Sequence, residues 1–466
     1  MFVTPNLPRS TPEAEGVSPA AIASLVAALD AGGSTHSFML LRRGSVVAEG
    51  WWAPYEARMP HMMFSVSKSF TATAVGLAIA DGLFGLDSLV AELLPDDLPV
   101  DVSPNLAAMR VRDLLTMTTG HATDTVELSA AHRAGNWARA ILAQPVDHEP
   151  GTTFVYNSGA TYLLSAIVTR ATGKRLLDYL DSRVLAPLGI VGATWEQSPS
   201  CIDAGGWGLS ITTEELAAFG ELYRRRGQWN GVQLVPAEWV DQATSFQVPN
   251  ARDDSTVEGS QGYGFQFWQC THGAFRADGA FGQLSIVMPE HEAVLALTGG
   301  ITSIQDSLDL VWEHLLPGFE ATSEPVVSTP LSTPLRLPME AGTQSGRSVS
   351  VTIDSGEQSW FTIERIEVDA GGVTIVDADG THRIECGFGS WSVGQTSFPG
   401  GADQPIAASA AWKTRETWVG LVWLTVTPFR YRFELTIDGD AATVTITSNV
   451  SFGSTELALL RGTVAR

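Results

Sequence analysis

The chain contains three lysines, Lys68, Lys174 and Lys413, and only Lys68 has a serine three positions before it. That serine, Ser65, stands in Phe64-Ser65-Val66-Ser67-Lys68-Ser69-Phe70, at the head of a nearly continuous apolar run through Val75, Leu77 and Ile79 to Gly82. Residues i and i+3 share a helix face, so hydroxyl and amine can meet at the first turn, where the helix dipole favours developing negative charge. A helix apolar on most sides is buried. Burial penalises an ammonium group, so the Lys68 pKa is expected to fall toward the range a general base needs. The chemistry this permits is attack by Ser65 on an electrophilic carbon while Lys68 takes its proton. The competing reading has Ser65 capping the helix and Lys68 reaching out to water. Ser67 and Ser69 have no lysine three residues on and are assigned to capping or hydrogen bonding.

A second group lies in Pro150-Gly151-Thr152-Thr153-Phe154-Val155-Tyr156-Asn157-Ser158-Gly159, a turn and short extended piece before a helical run over 160–171. A phenol on that loop can relay a proton if the nearby Lys68 charge lowers its pKa. Otherwise Tyr156 packs and satisfies its hydroxyl. The third group is Phe275-Arg276-Ala277-Asp278-Gly279-Ala280-Phe281-Gly282-Gln283. Small residues on an edge strand let a substrate lie against the backbone, and that strand could complete an oxyanion hole with the Ser65 amide. A plain turn with a bulge is the alternative. Trp207, in Gly205-Gly206-Trp207-Gly208, either packs as a core aromatic or lines the cleft, its glycines allowing a tight backbone passage.

These groups need a scaffold. From about 20 to 315 helical patterns alternate with short apolar strands, and from about 345 onward strands dominate. A helix is expected near 18–31 and a hairpin over 36–52, turning at Arg43-Gly44. Strands follow at 262–268, 283–288 and 293–298, then a helix over 303–316. The body between, from 65 to about 226, is mostly helical. The expected fold is α+β: an antiparallel sheet from the two ends of the domain, flanked by helices, with a helical subdomain inserted. Pro317, Pro325, Pro330, Pro334 and Pro338 mark a linker. The divisions expected are a first domain at 1–318, a Pro-rich linker at 319–344 and a second domain at 345–466. About eight short strands in the last, with a further run near Leu457, predict a closed or nearly closed antiparallel β-barrel of lipocalin-like type. Its interior either holds a ligand or is packed solid.

Composition narrows the partners. Lys plus Arg total 28 against 51 Asp plus Glu, a formal net charge of −23, which disfavours nucleic-acid and acidic-membrane surfaces. No apolar run reaches the roughly 18 residues of a membrane helix. The start MFVTPNLPRS lacks a basic stretch followed by an apolar core, so a cytoplasmic location is expected. Cys201, Cys270 and Cys386 have no metal or disulfide spacing and are expected to be buried thiols. No HExxH or carboxylate-framed histidine calls for a metal, no cofactor is implied, and the absence of Gly-x-Ser-x-Gly removes the usual α/β-hydrolase elbow.

The order Ser65-x-x-Lys68, Tyr156 and a Gly-rich strand motif resembles the serine β-lactamase and penicillin-binding-protein superfamily. It is most similar to the class C β-lactamase-like branch of esterases, aminohexanoate-oligomer hydrolases and D-aminopeptidases. The runs Val111-Arg112-Asp113-Leu114-Leu115-Thr116-Met117-Thr118-Thr119-Gly120, Pro150-Gly151-Thr152 and Tyr162-Leu163-Leu164 support it, over about residues 10–316 and not the barrel. The resemblance implies Ser65 as acylated nucleophile, Lys68 as base, Tyr156 as proton relay, the Ser65 and Ala280 amides as oxyanion donors, and Ser158, Asp278 and Gly279 at the substrate. It also brings the loop of Gly120-His121 and Asp124 near the cleft, where His121 is either a rim contact to substrate or an ordinary surface-loop residue. It implies a small-molecule ester or amide as substrate; oligomeric state is left open. Two departures matter. Ser158 stands where the family's lactamases have Asn, with Asn157 one place earlier, and Ala277-Asp278-Gly279 replaces Lys-Thr-Gly. Asp278 would repel an anionic substrate unless Arg276 turns inward, which favours neutral esters or amides or amine-bearing substrates. A penicillin-recognising binder without turnover and an acyltransferase or peptide cyclase are the other classes the resemblance allows.

Overall fold

The computed structural model describes residues 7–126, 135–253, 255–319 and 334–465. The first domain is built on a six-stranded antiparallel sheet in the order Ser45–Trp51, Thr35–Arg42, Ala293–Gly299, Gln283–Met288, Phe275–Gly279, Trp268–Gln269. Strands from the two ends of the domain are therefore neighbours. The hairpin pairs Arg42 with Ser45 around Arg43 (φ 51°) and Gly44 (φ 88°), both left-handed as a tight turn demands.

The three central strands are buried along their whole length. Their side chains alternate between two cores, because successive residues of a strand point to opposite faces. Phe38, Leu40, Leu295 and Leu297 join the helix Pro19–Gly32 on one side, and Met39, Leu41, Val294 and Ala296 join the helix Thr213–Arg224 on the other. Burial on both faces explains why these strands read as continuous apolar runs. Within the inserted body, the helix Ser67–Ala80 packs on Ser158–Thr172. It is buried on nearly every side, and at Gly76 a Cβ would lie 2.4 Å from the Trp239 ring.

Several expectations need correction. Of the run at 262–268 only Trp268 is in a strand, Trp268–Gln269, because Gly262 (φ 109°) and Gln266 (φ 64°) turn the chain out of extended geometry. The last helix is α-helical over Ile304–Leu310 and continues as a π-turn over Val311–Leu315. Cys270 is buried, but Cys386 is half-buried and Cys201 exposed, the last in a left-handed turn (φ 58°) at the surface.

The second domain is a nearly closed antiparallel barrel of ten strands. The strand missed by the sequence reading, Ser392–Thr396, is short, polar and largely exposed, so no apolar alternation announces it. The interior is packed solid: Val351, Ile375, Phe398, Phe433, Ile446 and Leu460 are each no more than 1% exposed. Residues 320–333 of the expected linker lie outside the described residues. Beyond them Leu335 and Leu337 exchange backbone hydrogen bonds with Ala53 of the first domain (3.0 and 2.9 Å). The barrel docks firmly beside them. Trp423 is buried against His36 and Tyr55, Tyr55 donates to the Thr427 carbonyl (3.1 Å), and the Met62 amide donates to Val426 (2.8 Å). No described helix is long and apolar enough to cross a membrane.

Candidate active site

The chain enters the buried helix through a constrained turn. His61–Met62 pairs with Leu209–Ile211, the Met63 amide donates to Leu209 (2.8 Å), and Phe64 takes a left-handed conformation (φ 46°) that starts one 3₁₀ turn over Phe64–Val66. The nucleophile candidate Ser65 sits in that turn. Across from it runs the end of Phe275–Gly279, where a Cβ on Gly279 would lie 2.3 Å from the Met63 carbonyl oxygen. Only glycine lets the strand pass so close, which gives Gly279 a steric role. Of the strand Phe275–Gly279, Trp268–Gln269 covers Phe275 and Arg276 and stops short of Ala277, so the backbone beyond Arg276 offers its edge toward this turn.

Lys68 is 1% exposed, and its Nζ is surrounded by three oxygens: Ser65 Oγ at 2.9 Å, Ser158 Oγ at 3.1 Å and the Gly206 carbonyl at 2.8 Å. The carbonyl can only accept, whereas a hydroxyl accepts or donates. An ammonium group can therefore give all three protons, and a neutral amine can give two and take the Ser65 proton on its lone pair. Both protonation states are satisfied without moving a heavy atom. Burial pushes the Lys68 pKa down to about 7, opposed by the charges of Asp124 and Asp278.

Tyr156 lies on the loop before the helix Ser158–Thr172, its ring 4.7 Å from Lys68 Nζ and its hydroxyl hydrogen-bonded to Ser65. Its pKa is raised, not lowered as expected: burial removes the solvation of a phenolate, and the nearby carboxylates Asp278 and Asp124 push the same way. Tyr156 is thus held as a neutral phenol among Trp268 and Tyr263, at 5.5 and 6.4 Å.

Ser158, placed by the sequence reading at the substrate, contacts Lys68 directly. Its amide donates to Asp124 Oδ1 (2.9 Å), which ties the acid to the site. Asn157 is turned away: its Oδ1 caps the helix through Gly159 and Ala160 and bonds Thr125. Arg276 does turn inward. It is 3% exposed and bonds Asp278 Oδ2 (2.8 Å) and the Glu258 and Gln269 carbonyls (3.1 and 3.3 Å). The Asp278 charge is therefore matched by a buried guanidinium, and the repulsion expected of a lone carboxylate is cancelled nearby.

His121 is 2% exposed, bonded through Nδ1 to Thr119 (2.8 Å), with its pKa lowered by burial; its ring bonds are to Thr119 and the Ile141 backbone, not to Ser65, Lys68 or Tyr156. Trp207 is half-buried and stacked on Trp137 at 5.7 Å, next to the Gly206 carbonyl that Lys68 uses. That carbonyl and the Asp124 charge were missed as contributors to the lysine. The glycine run carried a signal, since a Cβ at Gly205 or Gly206 would lie 2.9 Å from Ser165 Cβ or the Ser158 carbonyl. No group of three or more His, Cys, Asp or Glu among the described residues is placed to hold a metal.

Known proteins resemble this chain in sequence and in fold. The chain is 27% identical over 283 residues to the 6-aminohexanoate-dimer hydrolase of Paenarthrobacter ureafaciens, covering 56% of this chain and 71% of that one. In structure it resembles SurE over 89% of this chain and 98% of that one (TM-score 0.53, 20% identity). It also resembles the octameric penicillin-binding protein homologue of Pyrococcus abyssi over 94% and 99% (TM-score 0.50, 15% identity). These last two likenesses extend across both domains. The beta-lactamase family model matches residues 22–300, more than half of the chain, and the chain therefore belongs to the beta-lactamase family of serine hydrolases.

Proposed function

We propose that the chain hydrolyses ester or amide bonds of small neutral molecules through an acyl-Ser65 intermediate. The observation that carries this is Lys68 Nζ held 2.9 Å from Ser65 Oγ with its pKa pushed down to about 7. The Ser65 oxygen bonds to the carbonyl carbon as its proton passes to neutral Lys68, and the carbonyl oxygen becomes an oxyanion at the Ser65 and Ala280 amides. Such donors contribute about 3 kcal/mol each. The tetrahedral centre collapses, the bond to the leaving group breaks, and the Tyr156 hydroxyl relays the Lys68 proton to the departing oxygen or nitrogen. Water then attacks the acyl-Ser65 ester, gives a proton back along the same route, and releases the carboxylic acid with Ser65 restored. A raised phenol pKa suits Tyr156 to passing a proton on rather than to storing negative charge. The Arg276–Asp278 pair favours uncharged substrates over the amine-bearing ones that a bare carboxylate would attract.

The test is turnover of p-nitrophenyl esters, aminoacyl amides and a chromogenic cephalosporin by the wild type and Ser65→Ala, with intact-mass detection of the acyl adduct. Steady turnover of neutral esters or amides, lost in Ser65→Ala, is expected. Equal rates in the two proteins would overturn the reading. A burst without turnover would make the protein a binder, and product on an added amine would make it an acyltransferase.

A further inference from the structure

Four phenylalanines meet at the mouth of the site, two from each domain. Phe64 immediately precedes Ser65 and Phe281 immediately follows Ala280. Phe429 and Phe452 come from barrel loops. The Phe452 ring lies 5.9 Å from Phe64 and 4.7 Å from Phe281, and the Phe429 ring lies 6.2 and 5.7 Å from the same two. On its other side Phe452, 78% exposed, lines a groove of about 220 Å³ on the barrel together with Phe429, Tyr431, Val450, Leu457 and Trp360, the last 61% exposed. None of the groove's lining residues is charged, in a chain of net charge −23. The two exposed aromatic side chains at this groove, Phe452 and Trp360, are costly in water unless something apolar covers them.

We infer that this groove is an acyl subsite that receives the extended apolar chain of the substrate, so that the barrel helps select what Ser65 attacks. The inference rests on the acyl-enzyme reading above. The leaving group must reach Tyr156, whose ring is packed among Trp268 and Tyr263 and has no ring contact with the four phenylalanines. That occupies one side of the nucleophile and leaves the phenylalanine side for the acyl part. The occupant is an uncharged straight-chain or aryl acyl group running from the Ser65 carbonyl carbon past Phe281 and Phe452 toward Trp360.

The experiment compares p-nitrophenyl acetate with the decanoate ester in the wild type, Phe452→Ser, Trp360→Ser and Val393→Ser. The last removes an apolar side chain 77% exposed on a different barrel strand. Apolar burial predicts a wild-type decanoate-to-acetate ratio of kcat/KM above about ten; Phe452→Ser should lower it about tenfold, Trp360→Ser by less, and Val393→Ser not at all. A turnover-free arm titrates the uncharged probe N-decyl dansylamide into Ser65→Ala, alone and with Phe452→Ser, and follows dansyl emission. Saturable binding weakened by Phe452→Ser supports the subsite even if no ester is turned over, in which case only the catalytic reading fails. A chain-length ratio and probe affinity indifferent to Phe452→Ser overturn the subsite while leaving Ser65-dependent hydrolysis intact.

Discussion

Lys68 and Arg276 are buried to the same depth, 1% and 3% exposed, and stand on two sides of the same site. Burial acts on both in the same direction, yet they end in opposite states. Arg276 lies 2.8 Å from the Asp278 carboxylate, and its pKa rises above the ordinary arginine value although burial opposes this. Lys68 touches only neutral oxygens, and its pKa falls to about 7. Desolvation alone therefore does not decide whether a buried base is charged; the charge of the partner within hydrogen-bonding reach does. The helix start holds an amine that can be neutral near pH 7, as the proposed proton acceptor must be, and the strand holds a guanidinium paired with the carboxylate beside it.

Giving the first position the character of the second should have the largest effect. Lys68→Arg puts a permanently charged guanidinium where a proton must be accepted, and loss of general-base action predicts a fall in kcat/KM of about 10² to 10⁴. Ester turnover near wild-type level would break the contrast. Gly279→Ala forces a Cβ to within 2.3 Å of the Met63 carbonyl and shifts the turn that carries Ser65. A displacement near 1 Å predicts a loss of about 10²-fold in kcat, measured with the same ester.

Arg276→Met strands Asp278 as a buried, unmatched carboxylate and should cost about 3–5 kcal/mol in urea unfolding. The double variant Arg276→Met with Asp278→Leu should recover most of that loss. If it recovers none, the guanidinium stabilises the fold through its carbonyl contacts rather than through Asp278. The smallest effect concerns pH. Only the neutral Lys68 amine accepts the Ser65 proton, so kcat/KM should fall as pH drops through about 7. Asp278 favours the charged amine, so Asp278→Asn should move this acid limb to lower pH. A limb that stays put would mean that Asp278 does not act on Lys68.

Much of the fold was legible because its signals are local. The Arg43-Gly44 turn, the strands over Gln283–Met288 and Ala293–Gly299, and most barrel strands lie where composition and period predicted them. The segment 262–268 was misread because its β-prone residues surround backbone angles that only the packed structure imposes. The Ser65 and Lys68 pair was legible from helical spacing. The Gly206 carbonyl, Asp124, the inward turn of Arg276 and the raised Tyr156 pKa were not. Each depends on groups far apart in the chain.

The sequence by itself determined that a serine and a lysine three residues apart meet at the entry to a buried helix, because i and i+3 neighbours in any helical turn are set by backbone geometry alone. It also determined that a strand-rich domain follows. Only the tertiary structure decided the charge of that lysine, the pairing of Arg276 with Asp278, and the meeting of Phe452 with Phe64 across two domains. Electrostatic and apolar contacts act over a few ångströms of space, whatever the distance along the chain.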